Sequence, residues 1–404
     1  MAGREVADRR GRFAVGKLLV IGQIAMSLSV VVGAGLLIGT LTRLYTLDPG
    51  FNRSGVLVVS VNTRNVGYSQ EQSSVTNQEL LARMRALPGV RLASASRLTP
   101  ISGSLWYNDV EVDGFSPTDK QDALVWLNTM SEGYFATLET PLLAGRDFDS
   151  RDAPGSVQVA VINQTMARKF FGEPQPLGKQ FRIVPVSGDV ETYEVIGVVA
   201  DTKYESLEET ALPIAYFPLS QTGFAGSSLL FLLRTEGPPT ALVTAVTRLI
   251  EGVHPRISVR FATLEGMVAA SLARPRVLAA LSGFFGAVAL LLAMIGLYGT
   301  LSYRVTSRRN EIGVRLALGA TRTRVLGMVL GEVGRLASAG IAVGIIIALA
   351  STRVLSAFLF GVTATDPVTL VSSSVVLAAV AVAAGALPAW RAARLDPMEE
   401  LREQ

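Results

Sequence analysis

Cysteine is absent from this sequence, and histidine occurs once, at His254. Without cysteine there is no disulfide, thiol nucleophile or zinc–thiolate site, and a lone histidine leaves no partner for a histidine-based metal cluster. Charge is scarce as well: 17% of residues are Asp, Glu, Lys or Arg, against about 25% in ordinary soluble domains. That deficit points to lipid. The formal charge is +4, but the arginines sit beside apolar blocks and form no aromatic-interleaved basic face, which argues against nucleic acid as a partner. No serine lies in a G-x-S-x-G elbow.

What the chain has instead is apolar residues, 49% of the total, concentrated in one block near the N-terminus and several after residue 276. A bilayer core of about 30 Å needs roughly 20 apolar residues in a helix rising 1.5 Å per residue. Four segments reach that length: Leu18–Leu41, Val277–Leu301, Leu330–Ala350 and Val368–Trp390. The first is too long for the h-region of a cleaved signal peptide and is not closed by a small-x-small site, so it is expected to stay as a span. The expected layout is a tail at 1–17, spans at 18–42, 276–301, 327–352 and 368–390, an external domain at 43–275, a loop at 302–326, an external loop at 353–367 and a tail at 391–404.

Lys and Arg gather on cytoplasmic flanks. Arg4, Arg9, Arg10, Arg12 and Lys17 precede the first span; Arg304, Arg308, Arg309, Arg315, Arg322 and Arg324 lie between the second and third; Arg391, Arg394 and Arg402 follow the fourth. Arg274 and Arg276 are a minor contrary signal, and the short loop after the third span offers only Arg353, which can snorkel outward. Both termini are therefore expected in the cytoplasm, and the long insertion outside. Within the third span, Glu332 and Arg335 are neighbours on one helix face and read as an interfacial ion pair rather than a proton relay. Glycines recur at spacing four: Gly35 with Gly39, Gly327 with Gly331, Gly340 with Gly344. Such pairs let helix backbones approach closely; a dimer contact is considered for Gly35 and Gly39, and packing within the chain for the others.

The insertion mixes strands and helices. Val56–Val61, Glu194–Val199, Leu229–Leu233 and Ile257–Phe261 read as strands, and Gln78–Ala86 and Thr240–Ile250 as helices, giving an α+β domain that can comprise two subdomains. Pro and Gly between Pro141 and Gly178 mark turns. Asp147, Asp149 and Asp152 lack the glycine and terminal glutamate of a calcium loop and are expected to be solvated turn carboxylates. His254, before Pro255, reads as structural. Gly11–Leu18 matches a phosphate-binding loop at both glycines and Lys17, but Leu18 stands where the magnesium-binding Ser or Thr is needed and no strand precedes it. Lys17 is better explained as a positive-inside anchor.

The most informative stretch is Ser302–Arg324. It alternates charge with a compact apolar set, Ile312, Val314, Leu316, Ala317 and Leu318, closed by Gly319, as in a short amphipathic helix at a membrane surface. Its pattern alone leaves anchor and partner contact equally open. The run EIGVRLALGA resembles the signature of MacB/FtsX-type ABC transporter permeases. The resemblance implies that Glu311, Ile312, Gly313, Val314, Arg315, Leu316, Ala317, Leu318, Gly319 and Ala320 form the coupling element that rests on a separate ATPase.

It extends along the chain. Gly133–Phe148, Val159–Phe171, Pro176–Arg182 and Tyr193–Asp201 look like that family's periplasmic core domain, and Pro388–Arg402 resembles its usual ending, with an FtsX-like permease domain over 276–397. The match is nearest to one half of the duplicated orphan permeases; this sequence carries one such unit, no internal repeat and no fused ATPase domain. The implied fold is a membrane α-helical protein of four transmembrane helices with a large α+β extracytoplasmic domain inserted between the first and second. The implied role is the permease subunit of an ABC-type efflux or mechanotransmission transporter in a bacterial inner membrane. Its expected partners are an ABC ATPase, a second copy or a related permease, a periplasmic adaptor and membrane lipids. ATP and Mg belong to the ATPase; no cofactor, metal or catalytic residue is expected in this chain. The rival readings are a module that transmits ATPase movement to an external hydrolase without transport, and a membrane-anchored enzyme or binding domain.

Overall fold

The computed structural model describes residues 2–104, 106–119, 121–185, 189–222, 227–309, 321–355, 358–363 and 365–393. The chain forms two compact units, one made of Met1–Thr46 with Ala273–Gln404 and the other of Leu47–Leu272. Helix α1 (Ala2–Thr46) opens the first unit. It runs unbroken through Gly11–Leu18, so that stretch is a helix and not a phosphate-cradling loop.

The second unit follows in chain order. Strand β1 (Val56–Asn62) leads to α2 (Gln70–Arg85), then β2 (Val90–Ser96), β3 (Tyr107–Glu111), β4 (Leu124–Met130), α3 (Tyr134–Leu138), β5 (Leu142–Gly145) and β6 (Val159–Asn163). Helix α4 (Gln164–Phe171), β7 (Gln180–Val184), β8 (Glu191–Val199), β9 (Ile214–Pro218), α5 (Leu219–Thr222), β10 (Ser228–Thr235), α6 (Val243–Val253), β11 (Ser258–Thr263) and α7 (Leu264–Ser271) complete it. Local chemistry sets the helix starts. Ser69 and Gln72 exchange hydrogen bonds as a capping box on α2, and Asn163 and Thr263 cap α4 and α7 by accepting from Met166 N and Gly266 N.

The strands run in the order β11-β1-β10-β2-β4-β3-β7-β8-β6-β9, with β5 added to β8. Strand β9 also pairs with β4 in parallel, so β4, β3, β7, β8, β6 and β9 close on themselves as a ring. The other four strands form an open half. Its core stacks Leu57, Val59 and Val61 of β1 with Phe231 and Leu233 of β10 beneath Leu80 and Met84 of α2 and Val246 and Ile250 of α6. The ring has a separate core of Val125, Leu127, Ile162, Phe181, Ile183, Tyr193, Val195 and Phe217, covered by Met166 and Phe170 of α4. One register pair joins β2 to β4, Ser96 opposite Met130. Arg97 N donating to Thr129 O at 2.9 Å, and both ends of the Asn128 amide meeting the Leu98 backbone, reinforce it. All four expected strands lie on or overlap β1, β8, β10 and β11, and both expected helices overlap α2 and α6.

Arg234 of β10 is the buried charge of the open half. Its guanidinium donates to Thr137 O at 2.6 Å, Ser54 O at 3.1 Å and Asn52 O at 3.0 Å, with Glu139 Oε1 at 3.4 Å. The charge thus sits in a cage of carbonyls that ties α3 and the entry to β1 onto the sheet.

The first unit is completed by α8 (Ala273–Ser307), α9 (Arg322–Leu355) and α10 (Pro367–Ala393). Asp366 caps α10 by accepting from Thr369 N at 2.8 Å, with Pro367 in the first helical position. Four stretches, Gly16–Thr46, Ala273–Ser307, Arg322–Ser351 and Pro367–Ala392, are long and apolar enough to cross a membrane. Their helices run past the expected apolar limits because helical geometry continues where arginines flank the apolar core. The side chain of Arg353 lies outside the described ones.

Packing centres on α1. Val20, Ile24, Leu28, Val32 and Leu36 are buried in a row, meeting Leu297 and Leu301 of α8, Val333 and Ala337 of α9, and Leu377 and Ala381 of α10. Close approach rests on missing side chains. A Cβ on Gly340 would lie 2.5 Å from Ile24 Cγ2, and one on Gly344 would lie 2.9 Å from Leu28 Cδ2, so this pair seats α9 on α1 as expected. Gly327 and Gly331 instead face open space, with no neighbour within 4 Å. A Cβ on Gly35 would meet Thr369 Cγ2 at 2.7 Å and one on Gly39 would meet Val362 Cγ2 at 3.6 Å, so both are covered by the same chain. Polar links complete the seams: Gln23 Nε2 donates to Leu292 O at 2.6 Å and Ser27 Oγ to Ala289 O at 3.0 Å.

Gly340→Leu is expected to destabilise the detergent-solubilised chain by about 1–3 kcal/mol through overpacking against Ile24. Gly331→Ala should leave it unchanged or more stable by roughly 0.5–1 kcal/mol, since alanine favours a helix interior. Thermal unfolding of the two variants side by side measures the difference.

Candidate functional site

The candidate coupling segment, Glu311–Ala320, lies outside the described residues. Its two flanks are described, and they are fixed. Helix α8 arrives with Arg304 in its last turn, and α9 departs from Thr321, whose carbonyl accepts from Arg324 N at 2.9 Å.

Arg304 is 7% exposed, and its guanidinium pairs with Glu332 of α9. This corrects the expected partnership of Glu332: the acid bonds across to α8, while Arg335 Nε turns back to Gly331 O of its own helix at 3.3 Å. Spacing along one helix made Arg335 the obvious partner; helix packing brought Arg304 closer. One helical turn away, three helices converge. A Cβ on Gly385 of α10 would lie 2.8 Å from Val333 Cγ2 and 3.6 Å from Leu301 Cδ1. Nearer the segment, Val325, Val329, Ala389 and Ala392 form a small buried cluster against Val305, and Arg391 Nη1 donates to Tyr298 OH at 3.2 Å. The described residues on either side of 310–320 thus belong to helices that pack with α10 and against α1.

In the second unit, the aspartate stretch departs from expectation. Asp152 is buried, not solvated, and Arg146 grips it with two bonds of 2.8 and 2.7 Å while Asp149 N donates to it at 3.0 Å. Asp149 is held by Arg151 at 2.7 Å. The two arginines occupy the carboxylates, and no cluster of metal-binding side chains occurs among the described residues. Burial raises the Asp152 carboxyl, but the hydrogen bonds from Arg146 and from the Asp149 backbone outweigh it and hold the group below the ordinary range. The Arg151 side chain and backbone lower Asp149 further, whereas desolvation raises Asp147. His254 caps the end of α6, its Nδ1 accepting from Arg256 N at 3.1 Å, which is a structural role.

Comparison with known proteins gives the following. Residues 3–252 match the family described as MacB-like periplasmic core domain, and residues 283–397 match FtsX-like permease C-terminal. A macrolide export ATP-binding/permease protein, MacB, of Rhodospirillum rubrum is 26% identical over 99% of this chain, which spans 59% of that relative. The uncharacterized ABC transporter permease YknZ of Bacillus subtilis is 29% identical over 70% of this chain and 71% of its own length. The crystallised periplasmic region of MacB from Actinobacillus actinomycetemcomitans superposes with a TM-score of 0.37 and 17% identity, covering 55% of this chain and 94% of that one.

Two outcomes follow from the charges. Glu332→Gln strands a buried guanidinium and is expected to destabilise the membrane unit by roughly 3 kcal/mol, with the exchange Arg304→Glu/Glu332→Arg recovering part of the loss; unfolding in detergent measures both. In the second unit, carboxyls held below their unfolded values stabilise the fold above the ordinary range and lose that contribution as pH falls through it. Asp147, raised, acts in the opposite sense at higher pH. Stability should thus drop below about pH 4, and Asp152→Asn should flatten that drop in unfolding curves taken against pH.

Proposed function

Because the chain belongs to the family of FtsX-like permeases with a MacB-like periplasmic core domain, we propose that it is the permease subunit of an ABC-type transporter. In this reading it couples ATP hydrolysis in a separate cytoplasmic subunit to movement of its external unit. The observation that carries this is the mechanical continuity beside residues 310–320. The Arg304–Glu332 pair links α8 to α9, and Gly385 lets α10 pack against Val333 and Leu301, so both flanks of the segment are tied into the same helix bundle.

ATPase closure would press on Glu311–Ala320, and α8 and α9 would move as a pair against α1. Helices α1 and α8 are the two that lead into and out of Leu47–Leu272. Glu311 and Arg315, four apart, suit pairing with each other or with the ATPase. The described parts of the spans carry few charges beyond the Arg304–Glu332 pair and Arg335, which suits a transducer of movement better than a polar transmembrane pore. The membrane is a bacterial inner membrane, with both termini cytoplasmic and the large unit periplasmic, as the arginine flanks favour. The expected assembly contains a second copy or a related permease, the ATPase with its ATP and Mg, and a periplasmic adaptor.

The test is Glu311→Arg in a chain co-expressed with the ATPase that purifies with it. Membrane insertion should be unchanged while stimulation of ATP hydrolysis falls by at least tenfold, the loss of about 1.4 kcal/mol of coupling. Stimulation equal to that of the native chain would contradict the assignment.

A further inference from the structure

Inside the external unit, α3 and the residues that follow it stand between the open half and the ring. The open half holds this segment from one side. Arg234 of β10 donates to Thr137 O, Asn52 N donates to Leu138 O at 2.8 Å, and Arg91 of β2 pairs with Glu139 at 2.7 Å. On its other side the segment meets Tyr216 of β9, with Thr202 and Tyr204 from the stretch between β8 and β9. A cavity of about 10 Å³ lies in that contact, and all eight residues that line it are buried.

The lining is polar but uncharged. Five of the eight residues carry hydroxyls, namely Tyr134, Thr140, Thr202, Tyr204 and Tyr216. Thr140 Oγ1 is fully buried and has no hydrogen-bond partner among the described residues. A buried hydroxyl left unpaired is costly, so native structures nearly always satisfy such groups with protein or with ordered water. The neighbouring hydroxyls have bonding capacity to spare. Thr202 Oγ1 and Tyr216 OH are 3.4 Å apart, and Tyr204 OH reaches Leu127 O at 3.4 Å, both long contacts, whereas a hydroxyl offers one donor and two acceptor sites. Desolvation raises the pKa of Tyr134, Tyr204 and Tyr216, so all three remain neutral phenols that donate as well as accept.

Size and chemistry together select the occupant. A single water needs roughly 10–15 Å³ and two to four polar partners, while an apolar void of that kind stays dry. We propose that this cavity holds one ordered water, bonded to Thr140 Oγ1 and bridging it to the phenol of Tyr216. The open half is then fastened to the ring through α3 and this water, in addition to the β2–β4 junction. The bridge goes beyond the permease reading and requires no ATPase, so either can fail while the other stands.

The experiment is a crystal structure of the full chain at about 2 Å, together with thermal unfolding of the native chain and of Thr140→Val in detergent. Unfolding of the external unit is followed by tryptophan emission, since Trp106 and Trp126 lie in it. The map should show a solvent peak within about 3 Å of both Thr140 Oγ1 and Tyr216 OH, retained in Thr140→Ser and lost in Thr140→Val. Valine replaces the hydroxyl by a methyl of similar size, and its effect on the midpoint has a sign that decides the question. With the water in place, the substitution removes one of its partners and the midpoint should fall by about 2–4 °C. With a hydroxyl that is simply unpaired, the same substitution removes a buried polar group and the midpoint should rise. A map that shows ordered water elsewhere in the unit but none at Thr140, or a midpoint raised by Thr140→Val, would overturn the proposal.

Discussion

Inside lipid, burying apolar side chains gives one helix no reason to prefer another, so a membrane bundle must be held by close contact and by hydrogen bonds across the seams. In this chain that constraint falls on α1. Its buried row from Val20 to Leu36 touches all three other spans, and the contacts close because Gly340, Gly344 and Gly35 leave no Cβ between backbones. Gln23 and Ser27 then fasten α1 to carbonyls of α8. Beyond α1, α10 packs against both α8 and α9, and the Arg304–Glu332 pair links α8 to α9 directly at the end where the segment of interest begins.

The external unit solves a different problem. Water supplies the hydrophobic drive there, so each half builds its own core, one between the open sheet and its two helices and one inside the closed ring. The narrow place is the junction, where β2 and β4 share a single register pair. Hydrogen bonds beyond that pair, Arg97 N to Thr129 O, Ser131 N to Ala95 O and two between Asn128 and Leu98, hold the two bodies together there. Buried charge follows the same division: Arg234 is caged within the open half, and Asp152 is gripped by Arg146 beside the ring.

Much of this was legible in the sequence, for physical reasons that also explain the remainder. Spans announce themselves because lipid admits only long apolar helices, β1 and β8 because runs such as Val56–Val61 are rich in β-branched residues, and β10 because Leu229–Leu233 is a short continuous apolar run. Strand β3, Tyr107–Glu111, carries no such signal, being short and polar. Closure of the ring through the parallel β4–β9 pair joins segments distant in sequence, which no local pattern records. The same limit explains the charges. Spacing put Arg335 beside Glu332, and only interhelical geometry could put Arg304 there; three aspartates near one another looked solvated until the fold brought Arg146 over Asp152. Tertiary placement likewise brings this chain's own Thr369 and Val362 near Gly35 and Gly39.

The proposed coupling depends on the 310–320 segment resting on an ATPase. The absence of cysteine makes a direct probe available, because Leu316→Cys creates a unique thiol for a photoreactive maleimide. The measurement is photocrosslinking of that variant in native membranes, with mass spectrometry of the adduct. The account predicts an adduct to an ABC ATPase whose yield changes when ATP is trapped in the membrane preparation. Adducts to lipid alone, or to proteins without a nucleotide-binding domain, would contradict it.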